Sequence, residues 1–478
     1  MNEQSPFLPS IESYAQQKPR FILNDLAAST GIALADIETG IAAMMNRYEC
    51  RLQVTEKGEI IYDFGDLQRR GEKTLQEKLH ELKENLWIVF KYIFRIWIAV
   101  TLVAYFAFFF IILLGIIIAQ IALLFSSDSD SDSDFGIGDL IGGLFRAFIE
   151  IFYWNTVLST PQTVVDSQGY PYKEYQSRPS KRKRKTEDKK TFINSVYDYV
   201  FGVPRYKEPE LAYQQEIAAF LQKNKGYITP TELKALNGLP EDQADKLFSD
   251  VLIRFEGKPE VSEEGVLYGD FTKFATKTQA NQNSIVYFWD EYEPEHKLTG
   301  NATGRNVGIS FLNGFNLFFG LLGVSGFYNE IFAMPDATWL TVMLGYVPVS
   351  FSAIFYGVPL VRAFGLNKKR KQRHQNNLRK RVMQAIFVNQ CQDMTAKQLL
   401  EEVNSQAQTE KLSLQNVEEI MSKLILDVRG EVKISEQTGE IVYDFDNMRK
   451  DLEVAQKLRN ESRQSFDAGD IVFDTQAD

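Results

Sequence analysis

Arg146 and Glu150 stand four residues apart in an otherwise largely apolar segment, and Asp139 lies seven residues before Arg146. Ionisable groups inside a bilayer are costly, and they are kept where they face one another or a watery path. On one reading Glu150 is the carboxylate of an ion or proton pathway. On the other, which we prefer, Arg146 and Glu150 form an i,i+4 ion pair on a helix lying partly in the membrane interface. His296 closes the acidic-aromatic run Trp289-Asp-Glu-Tyr-Glu-Pro-Glu-His296, far in sequence from His80 and His374. A metal needs several converging donors, so a solvated loop is expected there. Cys50 and Cys391 are too far apart in sequence to suggest a disulfide scaffold or a cysteine-ligated cluster. Phosphate-loop, zinc-protease and nucleophile-elbow motifs are missing. No enzymatic activity, metal or cofactor is expected.

The elements around these residues are dominated by long apolar runs. Ile96 to Phe125 carries no charge over 30 residues, about 45 Å of helix against a hydrocarbon core of about 30 Å. Lys91 and Arg95, one turn apart at its start, can snorkel to lipid headgroups. An acidic Ser/Asp loop, 126–134, separates this run from Phe135–Leu158, which contains the three ionisable residues above. Two further runs, Val307–Met334 and Ala337–Phe364, contain glycines that permit close helix contact. Four spans are expected, with no signal peptide in the first 85 residues.

Orientation follows from the lysines and arginines. Seven lie in 68–95, nine in 173–190 and eight in 366–381, whereas 126–134 and 328–336 have none. Four spans put all basic segments on one face. Lys181, Arg182, Lys183, Arg184 and Lys185, with Lys368, Lys369 and Arg370, are then expected against anionic headgroups. The expected location is a bacterial inner membrane or its equivalent, with both termini cytoplasmic.

A motif recurs three times: Val54-Thr-Glu-Lys-Gly-Glu-Ile-Ile-Tyr-Asp-Phe64, Val261-Ser-Glu-Glu-Gly-Val-Leu-Tyr-Gly-Asp-Phe271 and Ile434-Ser-Glu-Gln-Thr-Gly-Glu-Ile-Val-Tyr-Asp-Phe445. Two short apolar runs around a Glu/Gly turn predict a β-hairpin in each. Helical patterns precede them: 21–28 and 34–48; 216–224, 229–237 and 240–255; 381–389, 395–404 and 413–428. Thr229-Pro-Thr-Glu232 reads as a capped helix start with proline at its first position. Helices followed by a glycine-turned hairpin resemble the winged-helix fold, over about 21–67, 213–274 and 382–448.

The expected class is mainly α: a membrane protein of about four spans with three small α+β winged-helix-like cytoplasmic repeats. In order these are repeat 1 (1–67), a basic helical stalk (68–95), a transmembrane hairpin (96–158), a basic linker (159–212) and repeat 2 (213–274). An acidic-aromatic loop (275–306), a second hairpin (307–365), a basic stalk (366–381), repeat 3 (382–448) and a fraying charged tail (449–478) follow. Leu75, Leu79, Leu82 and Leu86 give the first stalk a two-heptad seam, suited either to oligomerisation or to packing on its own domain.

Many winged helices bind DNA, but the charge here is wrong for phosphate. The repeats carry three basic against eight acidic residues, seven against eleven, and five against twelve. The leading expectation is a scaffold or adaptor presenting acidic repeats to a cytoplasmic protein, self-associating as an option. A channel or transporter regulated by its repeats, and a membrane-tethered DNA-binding regulator, are the alternatives.

Overall fold

The computed structural model describes residues 6–70, 75–125, 159–177, 191–206, 209–277, 285–405, 410–436, 439–462 and 471–475. The first unit comprises α1 (Leu8–Gln17), β1 (Arg20–Ile22), α2 (Leu23–Thr30), α3 (Leu34–Arg47), β2 (Arg51–Thr55) and β3 (Ile60–Asp63). A long helix α4 (Leu75–Phe125) leaves it, and the hairpin β4 (Ser159–Val165) and β5 (Pro171–Ser177) and helix α5 (Phe192–Phe201) come next. The second unit has α6 (Ala212–Lys223), β6 (Tyr227–Ile228), α7 (Pro230–Asn237), α8 (Glu241–Arg254), β7 (Lys258–Val261), β8 (Leu267–Asp270) and α9 (Thr272–Lys277). Then follow α10 (Thr303–Val324), the short α11 (Phe327–Ile331) and α12 (Thr338–Thr341), a π-helical turn Val342–Tyr346, and α13 (Val347–Val388). The third unit takes the end of α13, then β9 (Met394–Thr395), α14 (Ala396–Ser405), α15 (Leu414–Asp427), β10 (Glu431–Ile434) and β11 (Ile441–Asp444). Last come α16 (Asp446–Glu461) and β12 (Ile471–Asp474).

All three units share one element order, and in each the third strand is the central one: β1–β3–β2, β6–β8–β7 and β9–β11–β10. The recurring motif explains this. Gly58, Gly265 and Gly439 turn the hairpins with φ of +78°, +82° and +67°, a region costly for residues with a Cβ. The central strands end at Asp63, Asp270 and Asp444, whose Oδ1 atoms accept the N–H two residues on at 3.1, 2.8 and 2.8 Å. The next residues, Phe64, Phe271 and Phe445, are at most 3% exposed. Each motif thus builds a turn, a strand stop and a core anchor. The expected capping box is present: Thr229 Oγ1 accepts from Glu232 N at 3.4 Å, and Glu232 Oε2 from Thr229 N at 3.1 Å.

Several expected boundaries move. Phe21 lies in β1 rather than opening a helix, and α1 adds a helix before it. The region 159–212 is no plain linker, since its described part folds as β4–β5, α5 and the start of α6. The stalk 366–381 is the middle of α13, because residues 366–388 contain neither glycine nor proline to end a helix. The tail 449–478 does not fray throughout: α16 runs to Glu461, and β12 pairs antiparallel with β2 as a fourth strand of the first unit's sheet. Arg51 Nε donates to Asp474 Oδ1 at 2.6 Å and Gln53 Nε2 to Asp474 Oδ2 at 2.7 Å, locking that strand.

Three helical stretches are long and apolar enough to cross a membrane: Asn85–Gln120, Thr303–Val324 and Thr338–Val388. α4 and α10 run parallel, with Phe106 against Phe315 and Phe109 against Phe319. α13 runs antiparallel to both, since Phe355 clusters with Ile98 and Ile309 while Leu344 clusters with Phe109 and Phe319. Polar groups tie them: Asn316 Nδ2 donates to Leu102 O at 2.7 Å, and Ser352 Oγ to Asn313 Oδ1 at 3.1 Å. Pro348 has no N–H to give the preceding turn. The backbone there is π-helical, Val347 N–H returning to Val342 O, and the Tyr105 hydroxyl donates to Met343 O at 3.1 Å. The expected second span, 135–158, lies outside the described residues, as do the side chains of Leu75, Leu79 and Leu82.

The three units interlock. One apolar core joins the first and second, from Ile11 and Leu26 to Phe220 and Phe271. α7 is buried along its whole length, against its own unit and against α16. There Arg459 donates to Glu232 Oε2 at 2.7 Å and Thr231 Oγ1 to Asp451 Oδ2 at 2.7 Å. Arg429 pairs with Glu241 and Asp245 of α8.

Candidate functional site

A cavity of about 190 Å³ opens between β5, the loops 203–206 and 294–298, and α13. α13 places Arg362, Leu366 and Lys369 on it at near-helical spacing. β5 contributes Tyr172, Lys173 and Glu174. Arg362 is held by two carbonyls, Val200 O at 3.1 Å and Leu298 O at 2.6 Å. Gly202 makes this possible: a Cβ there would sit 1.8 Å from the Arg362 guanidinium. Arg205 donates to Pro294 O at 2.8 Å, and Arg370 to His296 O at 2.9 Å.

Cations outnumber acids along these walls. Lys173, Arg205, Lys297, Arg362 and Lys369 face only Glu174 and Glu295. Lys297 pairs with Glu174 at 3.1 Å, and Lys173 with Glu291 at 2.5 Å outside the lining. Arg373 is spent on Asp166 at 2.7 Å, a pair buried to 6% and 3% exposure. Burial and then Arg205, Lys369, Arg373 and Arg370 hold the His296 imidazole neutral, its pKa lowered to about 4. The expectation of a solvated loop is therefore corrected: Trp289 and Tyr292 are buried, and His296 is half-buried in a basic wall.

Of the expected headgroup-facing residues, Lys369 lines the cavity and Arg370 braces it, while Lys368 is exposed beside them. Lys91 and Arg95 lie elsewhere, stacked over Trp87 at 5.2 Å and Tyr197 at 4.5 Å. Asp139, Arg146, Glu150 and Lys181, Arg182, Lys183, Arg184 and Lys185 lie outside the described residues. Arg205, Arg362, Lys173 and Lys297 were not singled out in the sequence, where they are spread over nearly 200 positions. The one local signal was Arg362, a lone charge near the end of an apolar run.

The arrangement suits holding an anion rather than acid–base or nucleophilic chemistry. Burial pushes the Cys50 and Cys391 thiols up to about 11 and about 12, away from reactive thiolate. Among the described residues no group of three His, Cys, Asp or Glu side chains could hold a metal ion.

Fold and site together define a mainly helical protein with three apolar helices of spanning length, small antiparallel sheets and a basic cavity where the two parts join. The chain is 22% identical, over 389 aligned residues, to an uncharacterised chloroplastic protein of Arabidopsis thaliana, covering 75% of this chain and 68% of the relative. No family model matches the chain. No solved structure matches it either.

Proposed function

We propose that this protein is a multi-pass membrane scaffold that holds three winged-helix-like units as one platform on a single membrane face. The observation that carries the reading is α13, one helix that is apolar at Phe351 and Phe355 and forms the first helix of the third unit at Val382 and Ile386. A partner bound to the platform is thereby coupled to the membrane segment without a flexible joint. The shared element order and central third strand support the winged-helix reading. α4 ends at the opposite end of the bundle from Asp166, which pairs with Arg373, so the described residues on either side of 126–158 stand at opposite ends of the bundle.

α8 spends Glu241 and Asp245 on Arg429. Asp36 and Glu38 on α3, and Glu418 and Glu419 on α15, are exposed. These acidic helices are the surfaces we assign to a cationic protein partner; they repel nucleic acid. The lysine and arginine bias leads us to assign the platform and both termini to the positive-inside face of a bacterial-type or organellar membrane; the relative is named as chloroplastic. Photo-crosslinkers at Glu38 and Glu418 in the full-length protein in its membrane test this. Adducts with a basic protein, lost when Asp36, Glu38, Glu418 and Glu419 are changed to lysine, are expected. Adducts with lipid or with this chain alone would overturn it.

A further inference from the structure

We propose that the cavity between β5, the 203–206 and 294–298 loops and α13 binds a phosphate-type anion, with Arg205, Arg362 and Lys369 as its recognition groups. Lys173 and Lys297 have carboxylate partners of their own. Arg205 and Arg362 instead donate to peptide carbonyls, neutral acceptors that orient the guanidinium; the carboxylates acting on them, Glu293 and Asp198, lie outside the lining. Arg205 spends one of its five N–H donors in this way and Arg362 two. Planar guanidinium forks match phosphate oxygens in pairs. Burial depresses the Arg205 pKa more than Glu293 restores it, as a cation held short of a counter-charge should show.

Height along α13 identifies where such an anion comes from. Arg362 and Lys369 are seven residues apart, about 10 Å of helix, and Arg362 follows the apolar turns while Lys369 lies in the basic run that Lys368 opens. The headgroup layer on each face of a bilayer is about 5–8 Å thick. On the membrane reading, on which this assignment of height rests, the cavity stands at headgroup level. Free phosphate offers the same chemistry from solution.

The test uses the full chain in nanodiscs of mixed phosphatidylglycerol and phosphatidylcholine, reading retained lipid by native mass spectrometry. Retention of phosphatidylglycerol should fall about thirtyfold in Arg205→Gln/Lys369→Gln, two charges removed at about 1 kcal/mol each, and no more than about fivefold in Lys371→Gln, an exposed lysine outside the lining. Equal loss in both variants, or no preference in the wild type, overturns the proposal unless the second arm is positive. That arm titrates inorganic phosphate calorimetrically into discs of phosphatidylcholine alone: saturable binding lost only in Arg205→Gln/Lys369→Gln assigns the site to a soluble anion. Release of the chain by alkaline carbonate would defeat the membrane reading while leaving the phosphate titration in detergent-free solution to decide the cavity.

Discussion

Replacing Arg459 by methionine isolates one buried charge. Glu232, 8% exposed, lies in the fully buried α7, and Arg459 of α16, 19% exposed, donates to it at 2.7 Å. Burial already raises the Glu232 pKa, with Arg459 and the Thr229 cap pulling the other way. Methionine keeps the packing over Phe220, on which the guanidinium lies at 5.4 Å, but leaves the carboxylate unpaired. Removing one partner of a buried pair costs about 3–5 kcal/mol. The lower end applies because the cap retains two bonds to Glu232 and Arg459 is partly solvated, so about 3 kcal/mol is expected, or about 150-fold in an equilibrium constant. Hydrogen exchange of the α7 amides reads this as a local opening. The sign with pH is fixed: in Arg459→Met the penalty shrinks as pH falls and Glu232 takes up a proton. Glu232→Gln/Arg459→Met should recover most of the protection. Unchanged α7 exchange in Arg459→Met would refute the docking of the second unit on the third.

Three other outcomes follow from the same contacts. Truncation after Ser462 removes β12 and bares the β2 edge, so amides 51–55 should lose protection and Asp474→Ala should reproduce about 1 kcal/mol of it; unchanged exchange would count against the strand. Tyr105→Phe strips the Met343 carbonyl of its donor and should cost about 0.6–1.7 kcal/mol in a reversible unfolding assay in bicelles; a neutral result would remove the hydroxyl from the helix contact. At pH 8 a thiol with a pKa of about 11, as at Cys50, is about one part in a thousand thiolate. Half-buried Cys50 should therefore alkylate slowly and buried Cys391 should resist alkylation until the protein is denatured; rapid labelling of Cys391 in the native protein would contradict its burial.

How much could be read beforehand depended on distance along the chain. The hairpins were legible because Gly58 to Phe64, Gly265 to Phe271 and Gly439 to Phe445 each specify turn, strand and anchor within seven residues. β1 was not: three residues, Arg20–Ile22, are too short to show alternation, and Phe21 read as helix. The change from apolar to basic near Leu366 resembled a domain boundary, yet composition alone does not end a helix, and α13 continues through it. The cavity escaped notice because its cations come from residues 173, 205, 297, 362 and 369, brought together only by tertiary packing. β12 was hidden for the same reason, its partner β2 lying over 400 residues earlier.

Topology is the claim on which the rest depends, and cysteine mapping reaches it directly. Single cysteines at Glu56, Ser131, Asp336 and Glu436, in a Cys50→Ser/Cys391→Ser background, would be challenged with an impermeant maleimide on sealed vesicles of each orientation. The account predicts that positions 56 and 436 label from one face and positions 131 and 336 from the other. Labelling of 131 and 56 from the same face would contradict it.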